Sequence, residues 1–206
     1  METKSVNKSF STRTMVEMAL LIAVILILAF TPLGYIKMPL GLEITLIVVP
    51  VAVGSVTLGP KAGTILGIVF GITSFIQCFG MSAFGAMLLS INPVGCFVVC
   101  VIARMLCGLC SGLIYQGLKK TKMNKTLSTT IANLCCPLLN TFFFMTTLVL
   151  FFYNTDYIQS MVTALGSANV FAFVLAFVGI NGLVEALICF VLGTAISKAL
   201  QIALKL

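Results

Sequence analysis

Residues 94–118 read VGCFVVCVIARMLCGLCSGLIYQGL, a run of 25 residues in which Arg104 is the single charged side chain. A helix needs about 20 mostly apolar residues to cross the hydrocarbon core of a bilayer. Lysines at 119, 120, 122 and 125 follow the run, as basic residues do at the cytoplasmic end of a membrane helix. This stretch therefore predicts a transmembrane helix over about 94–117.

The composition of the whole chain also points to lipid as its solvent. Of its 206 residues, 60% are hydrophobic and 8% are charged, whereas a soluble domain carries about 25% charged residues. A water-soluble globular fold is excluded, because so few charged side chains cannot cover its surface. The chain has no histidine, so the commonest zinc ligand and general base is missing. We therefore expect no enzyme activity, no metal site and no cofactor.

Five more apolar runs accompany the first, separated by turns rich in Gly and Pro, which a helix does not continue comfortably. We expect an all-α integral membrane protein in which residues 1–206 form a single membrane domain with six transmembrane helices. The last span is interrupted in its middle by Gly179, Asn181 and Gly182. The predicted spans are 14–31, 43–59, 62–79, 94–117, 128–152 and 168–196.

The basic residues test this topology independently. Six spans place both termini and the second and fourth connections on one side, and ten of the twelve basic residues fall there. The opposite side holds Lys37, and Arg104 lies within a span. By the positive-inside rule both termini are cytoplasmic, and the loops 32–42, 80–93 and 153–167 are external. The basic residues follow the ends of apolar runs, so a nucleic-acid partner is not expected.

The eight cysteines are interpreted as packing residues. Cys96, Cys100 and Cys107 fall on one face of an apolar helix, where a free thiol behaves as a small hydrophobe. Cys107 and Cys110 stand at CxxC spacing. Thiolates in lipid are costly, however, so this spacing is not taken as a zinc site.

Polar side chains at membrane depth are the strongest functional signal, because they are expensive there and mark a site, a pathway or an internal pair. One hypothesis is a ligand pocket, open to the outside, in which a fixed cation and several amides recognise a small polar molecule. The other is structural: Arg104 and Glu185 neutralise each other, and the amides join neighbouring helices. The residues concerned are Gln77, Asn92, Arg104, Asn140, Asn181 and Glu185.

Gly63, Gly67 and Gly71 recur every four residues. They line one face of the third predicted span, so that face must approach another backbone closely. Packing within the chain and a surface that slides against a partner both fit this pattern.

Six stretches of the sequence together carry a resemblance to a known family. They are ALLIA (19–23), PLGYIKMPLG (32–41), ITLIVVPVAVG (44–54), LGPKAGTILGIVFGITSF (58–75), RMLCGLCSGLIYQGLKK (104–120) and NGLVEALI (181–188). In these stretches the sequence is similar to the substrate-binding (S) components of energy-coupling factor (ECF) vitamin transporters, and within them to the pantothenate branch. The resemblance extends from about Met15 to Lys198, and the LGPKAG turn with the glycine face after it is its most specific part.

The resemblance implies a subunit of the cell membrane that captures a vitamin, pantothenate or a related micronutrient, from outside. Uptake would require a transmembrane coupling subunit and two cytoplasmic ATPases. Ala19 and Ala23 would dock on the coupling subunit. The segment after the first span, including Tyr35, Ile36 and Met38, would form a lid over the ligand.

The residues themselves agree with a need for partners. The chain contains no GxxxxGK[ST] loop, so it has no phosphate-binding loop for ATP. A self-sufficient small permease or channel is the alternative, although no internal repeat supports an alternating-access transporter.

Overall fold

The computed structural model describes residues 12–32, 34–37, 43–121 and 123–203, and for 35–37, 43–44 and 180–181 it describes the backbone alone. Two short strands, β1 (Tyr35–Lys37) and β2 (Glu43–Thr45), pair antiparallel with Ile36 opposite Ile44. The remaining elements are helical. The α-helices are α1 (Thr12–Ala29), α2 (Val48–Thr57), α3 (Pro60–Gln77), α4 (Ala83–Ile91), α5 (Pro93–Phe97), α6 (Ala103–Lys120), α7 (Lys125–Phe152), α8 (Asp156–Ala164), α9 (Val170–Ile188) and α10 (Thr194–Ala203).

Two π-helical turns lengthen the helices of the chain. Val98–Ile102 joins α5 to α6, and Cys189–Gly193 joins α9 to α10. The interruption predicted between Gly179 and Gly182 is wrong, because α9 continues through these residues. Single π-helical turns within α-helices are frequent at functional sites, and the first of these turns ends immediately before α6 and Arg104.

Four helical segments of the described ranges are long and apolar enough to cross a membrane. Their mean hydropathy is between 1.9 and 2.3, and large apolar side chains such as Leu20, Leu150 and Leu183 are exposed on them. The protein is therefore a membrane protein. The segments are Thr12–Ala29, Pro93–Lys120, Lys125–Phe152 and Gly182–Ala203.

The second helix is shorter than the sequence predicted. It begins at Val48 rather than at Glu43, because residues 43–45 pair with β1 instead. Its end is set by Gly59, whose φ of 93° lies in the left-handed region that favours glycine. Every residue from Val48 to Val56 is buried. The ten-residue α2 is thus a core helix surrounded by the others.

The glycine face of α3 lies against the π-helical turn and α6. A Cβ at Gly71 would stand 2.6 Å from the Cα of Val101. At Gly67 it would overlap the Arg104 carbonyl, and at Gly63 it would overlap a side chain of α2. The absence of side chains on this face permits contact between the two backbones, and this contact fixes the position of Arg104 along α3.

The opposing helix contributes small residues of its own. A Cβ at Gly112 of α6 would lie 2.5 Å from the Cα of Pro60, and one at Gly108 would overlap the Gly63 carbonyl. The α3–α6 contact is therefore glycine against glycine. The sequence pattern indicated only the α3 side of it.

Candidate ligand-binding site

A cavity of about 110 Å³ lies between β2, α3, α4, the first π-helical turn, α6, α7 and α9. A single water needs roughly 10–15 Å³ on the same measure, so the cavity has room for a small organic molecule or several waters. Apolar walls with a few convergent polar groups are typical of ligand pockets. Its polar lining residues are Thr45, Ser74, Gln77, Ser82, Arg104, Asn140, Thr141 and Glu185.

Arg104 is the cation of this cavity. Its side chain is 7% exposed, and its Nη1 donates a hydrogen bond to the Val99 carbonyl at 2.7 Å. The guanidinium carbon lies 5.1 Å from the ring centre of Phe70 and 5.3 Å from that of Phe144. Both distances allow cation–π attraction. Its Nε finds no hydrogen-bond partner within the described part of the chain, so the guanidinium keeps donor capacity for a further group.

Glu185 supplies a carboxylate to the same cavity but does not pair with Arg104. Its Oε1 accepts a hydrogen bond from the backbone N–H of Thr45 at 2.7 Å. Across the described residues, no carboxylate oxygen lies within 4.0 Å of the Arg104 nitrogens. The cavity therefore presents a cation and a carboxylate separately.

Two amides complete the polar wall. Asn140 of α7 is 7% exposed, and its Oδ1 has no partner among the residues described. The Nε2 of Gln77 donates to the Ala29 carbonyl at 2.5 Å, where α1 ends. Asn140 is thus available to a ligand through its oxygen, whereas Gln77 is partly used to hold α1 against α3.

The chain matches the family model described as ECF transporter, substrate-specific component, over residues 13–197. It belongs to this family. A curated relative, the pantothenic acid transporter PanT of Lactococcus lactis subsp. cremoris (strain MG1363), is 29% identical over 194 residues. The alignment covers 89% of this chain and 91% of that protein. The family and the relative are transport proteins, not enzymes.

Two predicted site residues of the S component are not placed in the cavity wall. Asn92 precedes α5 and caps it, with Oδ1 accepting from the Gly95 N–H at 2.9 Å. It does not line the cavity. Asn181 lies in α9 one helical turn before Glu185, but its side chain is outside the described part of the molecule.

The segment after α1 passes beside the cavity. Thr45 of β2 lines it, and the N–H of Leu46 donates to the Gly34 carbonyl at 3.0 Å. A Cβ at Gly34 would overlap the Leu28 carbonyl, so this glycine permits a tight departure from α1. Of the residues assigned to a lid, Tyr35 and Ile36 form β1 with their side chains not described, and Met38 lies outside the described residues.

The two alanines assigned to docking are both exposed. Ala19 and Ala23 lie one turn apart on α1. Large apolar side chains beside them, including Leu20, are exposed as well. This face of α1 is therefore open to lipid or to another protein.

Among the polar and thiol side chains of the cavity lining, the sequence pattern did not single out four. Ser74, Ser82 and Thr45 are small polar residues, whose presence in an apolar run is common and carries little signal. Cys78 stands in a different run from Cys96 and Cys100, so spacing does not connect it with them. Only the position of β2 beside Glu185 makes Thr45 part of the site.

Proposed function

We propose that this S component binds pantothenate, or a vitamin of the same chemistry, and presents it for uptake. The observation that carries the proposal is the buried Arg104, which lines the cavity and has no carboxylate partner among the described residues. A guanidinium stays protonated and matches a carboxylate with its planar fork. The named substrate of the relative PanT supports an acidic ligand for this cavity.

The remaining polar groups fit the rest of such a molecule. Pantothenate carries hydroxyl groups and an amide in addition to its carboxylate. The carboxylate of Glu185 and the Oδ1 of Asn140 accept hydrogen bonds, and both line the cavity. We assign Arg104 to the ligand carboxylate and these two residues to its hydroxyl and amide donors. Asn181 is assigned beside Glu185 because both lie on one face of α9.

For topology, we propose six passages through the cell membrane with both termini in the cytoplasm. The excess of basic residues on one side supports this orientation. In this arrangement the segment 31–43 is external, and we assign Tyr35, Ile36 and Met38 to a lid over the ligand.

Transport is proposed to require a membrane coupling subunit and two ATPases, because the chain itself contains no phosphate-binding loop. The exposed Ala19 and Ala23 are assigned to the contact with the coupling subunit. Small residues there let two helix backbones approach closely.

The test is equilibrium binding of radiolabelled pantothenate to the purified protein in detergent, with unlabelled competitors. Pantothenate should displace the label at least about tenfold more strongly than pantothenol, in which an alcohol replaces the carboxylate, since one bidentate charged pair is worth more than about 1.4 kcal/mol. Equal competition by the two compounds would reject Arg104 as the carboxylate site. Uptake by cells that lack the coupling subunit would instead favour a self-sufficient permease.

A further inference from the structure

Three cysteines from two helical segments meet beside the cavity. Cys78 follows the last residue of α3, Cys96 lies in α5 and Cys100 lies in the first π-helical turn. All three are buried free thiols. The Sγ atom of Cys78 is 3.7 Å from that of Cys96 and 3.8 Å from that of Cys100. All three sulfurs lie within 4.8 Å of one another.

These separations suit a metal ion as well as they suit apolar packing. With metal–sulfur bonds of about 2.3 Å, the sulfurs of a tetrahedral site stand roughly 3.8 Å apart. The sulfurs therefore need little movement to reach a common cation. Cys78 and Cys100 also line the cavity, so the fourth coordination position would face its interior and take a water.

The charge of the three thiolates favours a divalent over a monovalent cation. Three thiolates around a divalent ion carry one net negative charge. Arg104 follows Cys100 by one helical turn, and its positive charge lines the same cavity together with the carboxyl group of Glu185. A monovalent ion with three thiolates would leave one more negative charge than a divalent ion does, at a depth where charge is expensive.

We propose that Cys78, Cys96 and Cys100 form a binding site for a soft divalent d10 cation, of the class of Zn²⁺ and Cd²⁺. Each thiol releases its proton as it coordinates. The cation and the organic ligand exclude each other, because Arg104, Cys78 and Cys100 belong to one cavity. Cation binding stands alone, whereas this competition rests on the proposed function.

The probe is Cd²⁺ added to the purified full-length protein in detergent, read by the ultraviolet charge-transfer band of cadmium thiolates. One variant keeps the three cysteines and has the other five replaced by alanine. Its matched control keeps those five, including Cys107 and Cys136 with sulfurs 3.6 Å apart, and has the three replaced. The band should saturate at one cation per chain in wild type and the first variant, and be lost in the control.

The single variant Cys96→Ala is a second test in case the control with three replaced cysteines does not fold. Cys96 does not line the cavity, so its replacement leaves the cavity lining unchanged. Loss of a group that only supports a ligand costs about 10–100-fold in metal affinity, so loss of this direct ligand should weaken Cd²⁺ binding by more than tenfold. Unchanged affinity in Cys96→Ala, or a full band in the matched control, would overturn the proposal. The same holds if folded wild type gives no band.

The competition is measured separately. Saturating pantothenate should raise the Cd²⁺ concentration needed for half-saturation by at least tenfold. If the cadmium–thiolate band is normal but the metal-free protein does not bind pantothenate, the proposed function is rejected and the cation site still stands. Simultaneous binding of both would overturn the shared cavity.

Discussion

Two buried polar clusters of this protein differ in how completely their hydrogen bonds are made. Around the cavity, the Nε of Arg104 and the Oδ1 of Asn140 have no partner in the described residues. Between α7 and α10, Asn133 donates to Ser197 at 3.2 Å and Gln201 donates to Thr129 at 3.1 Å. Buried polar groups are normally paired, so an orphan points to a role beyond holding the fold together. The cluster between α7 and α10, the paired cluster, joins helices. The cluster around the cavity, the open cluster, is the one to which we assign a ligand.

The difference between the clusters depends on charge as well as on missing partners. Ser128 and Thr194 also bury a hydroxyl without a partner among the described residues, and neither lines the cavity. An unmet hydroxyl costs about 1–3 kcal/mol, whereas an unmet charged group costs more. Arg104 is therefore the residue at which a structural role and a ligand-binding role predict the most different outcomes.

The largest effect is expected for Arg104→Met. Truncating one partner of a buried charge pair costs about 2–5 kcal/mol, so pantothenate affinity should fall by at least about thirtyfold. Thermal stability should be unchanged or higher, because the variant removes a buried cation for which the described part of the chain offers no carboxylate partner. Ligand titration and thermal unfolding of the same detergent sample provide both readings. A large loss of stability with normal affinity would make Arg104 structural.

The next effect falls on the paired cluster. Asn133→Leu removes the hydrogen bonds to Ser197 and leaves its buried hydroxyl unpaired, which should destabilise the protein by about 1–3 kcal/mol. Ligand affinity should stay within a factor of two of wild type, since Asn133 does not line the cavity. The double variant Asn133→Leu with Ser197→Ala should recover part of the stability. If Asn133→Leu lowered ligand affinity as much as Arg104→Met does, the two clusters would not have separate roles.

The three residues to which we assign the main ligand contacts are also ones that sequence can find. Arg104, Glu185 and Asn140 stand out because a charge or an amide in an apolar run is costly unless an internal partner or a ligand compensates it. Asn92 is also polar and adjoins an apolar run, but an Asn directly before a Pro is equally typical of a helix N-terminus. Its side chain is used up as a cap.

What sequence could not supply is the set of contacts made across long separations in the chain. Residues 43–45 adjoin an apolar run, so the local pattern predicts a helix that includes them. Their pairing with β1 depends on a segment that leaves α1 and returns. The bond from Thr45 to Glu185 joins residues 140 positions apart, and neither local pattern encodes it.

A smaller effect is expected inside the open cluster at Asn140→Leu. The Oδ1 of Asn140 has no partner in the described chain, so its contribution to a ligand is one neutral hydrogen bond of about 0.5–1.5 kcal/mol. Pantothenate affinity should fall by roughly two- to tenfold, with stability preserved. Asn133→Leu is the matched control, because it makes the same change on the same helix outside the cavity. If Asn133→Leu bound pantothenate more weakly than Asn140→Leu, the distinction between the two clusters would be lost.

The smallest effect on affinity is expected outside both clusters, at Ala19→Leu. Ala19 and Ala23 are exposed on α1, away from the cavity lining, so neither binding nor stability of the isolated subunit should change by more than about 0.5 kcal/mol. Uptake in cells should nevertheless be strongly reduced, because a larger side chain separates two helices whose backbones would otherwise nearly touch. Leu20→Ala is the control: it lies beside Ala19 on an exposed apolar surface and removes volume instead of adding it. Normal uptake by Ala19→Leu would exclude this face as the docking surface. Loss of pantothenate binding in detergent would instead place Ala19 within the ligand-binding fold.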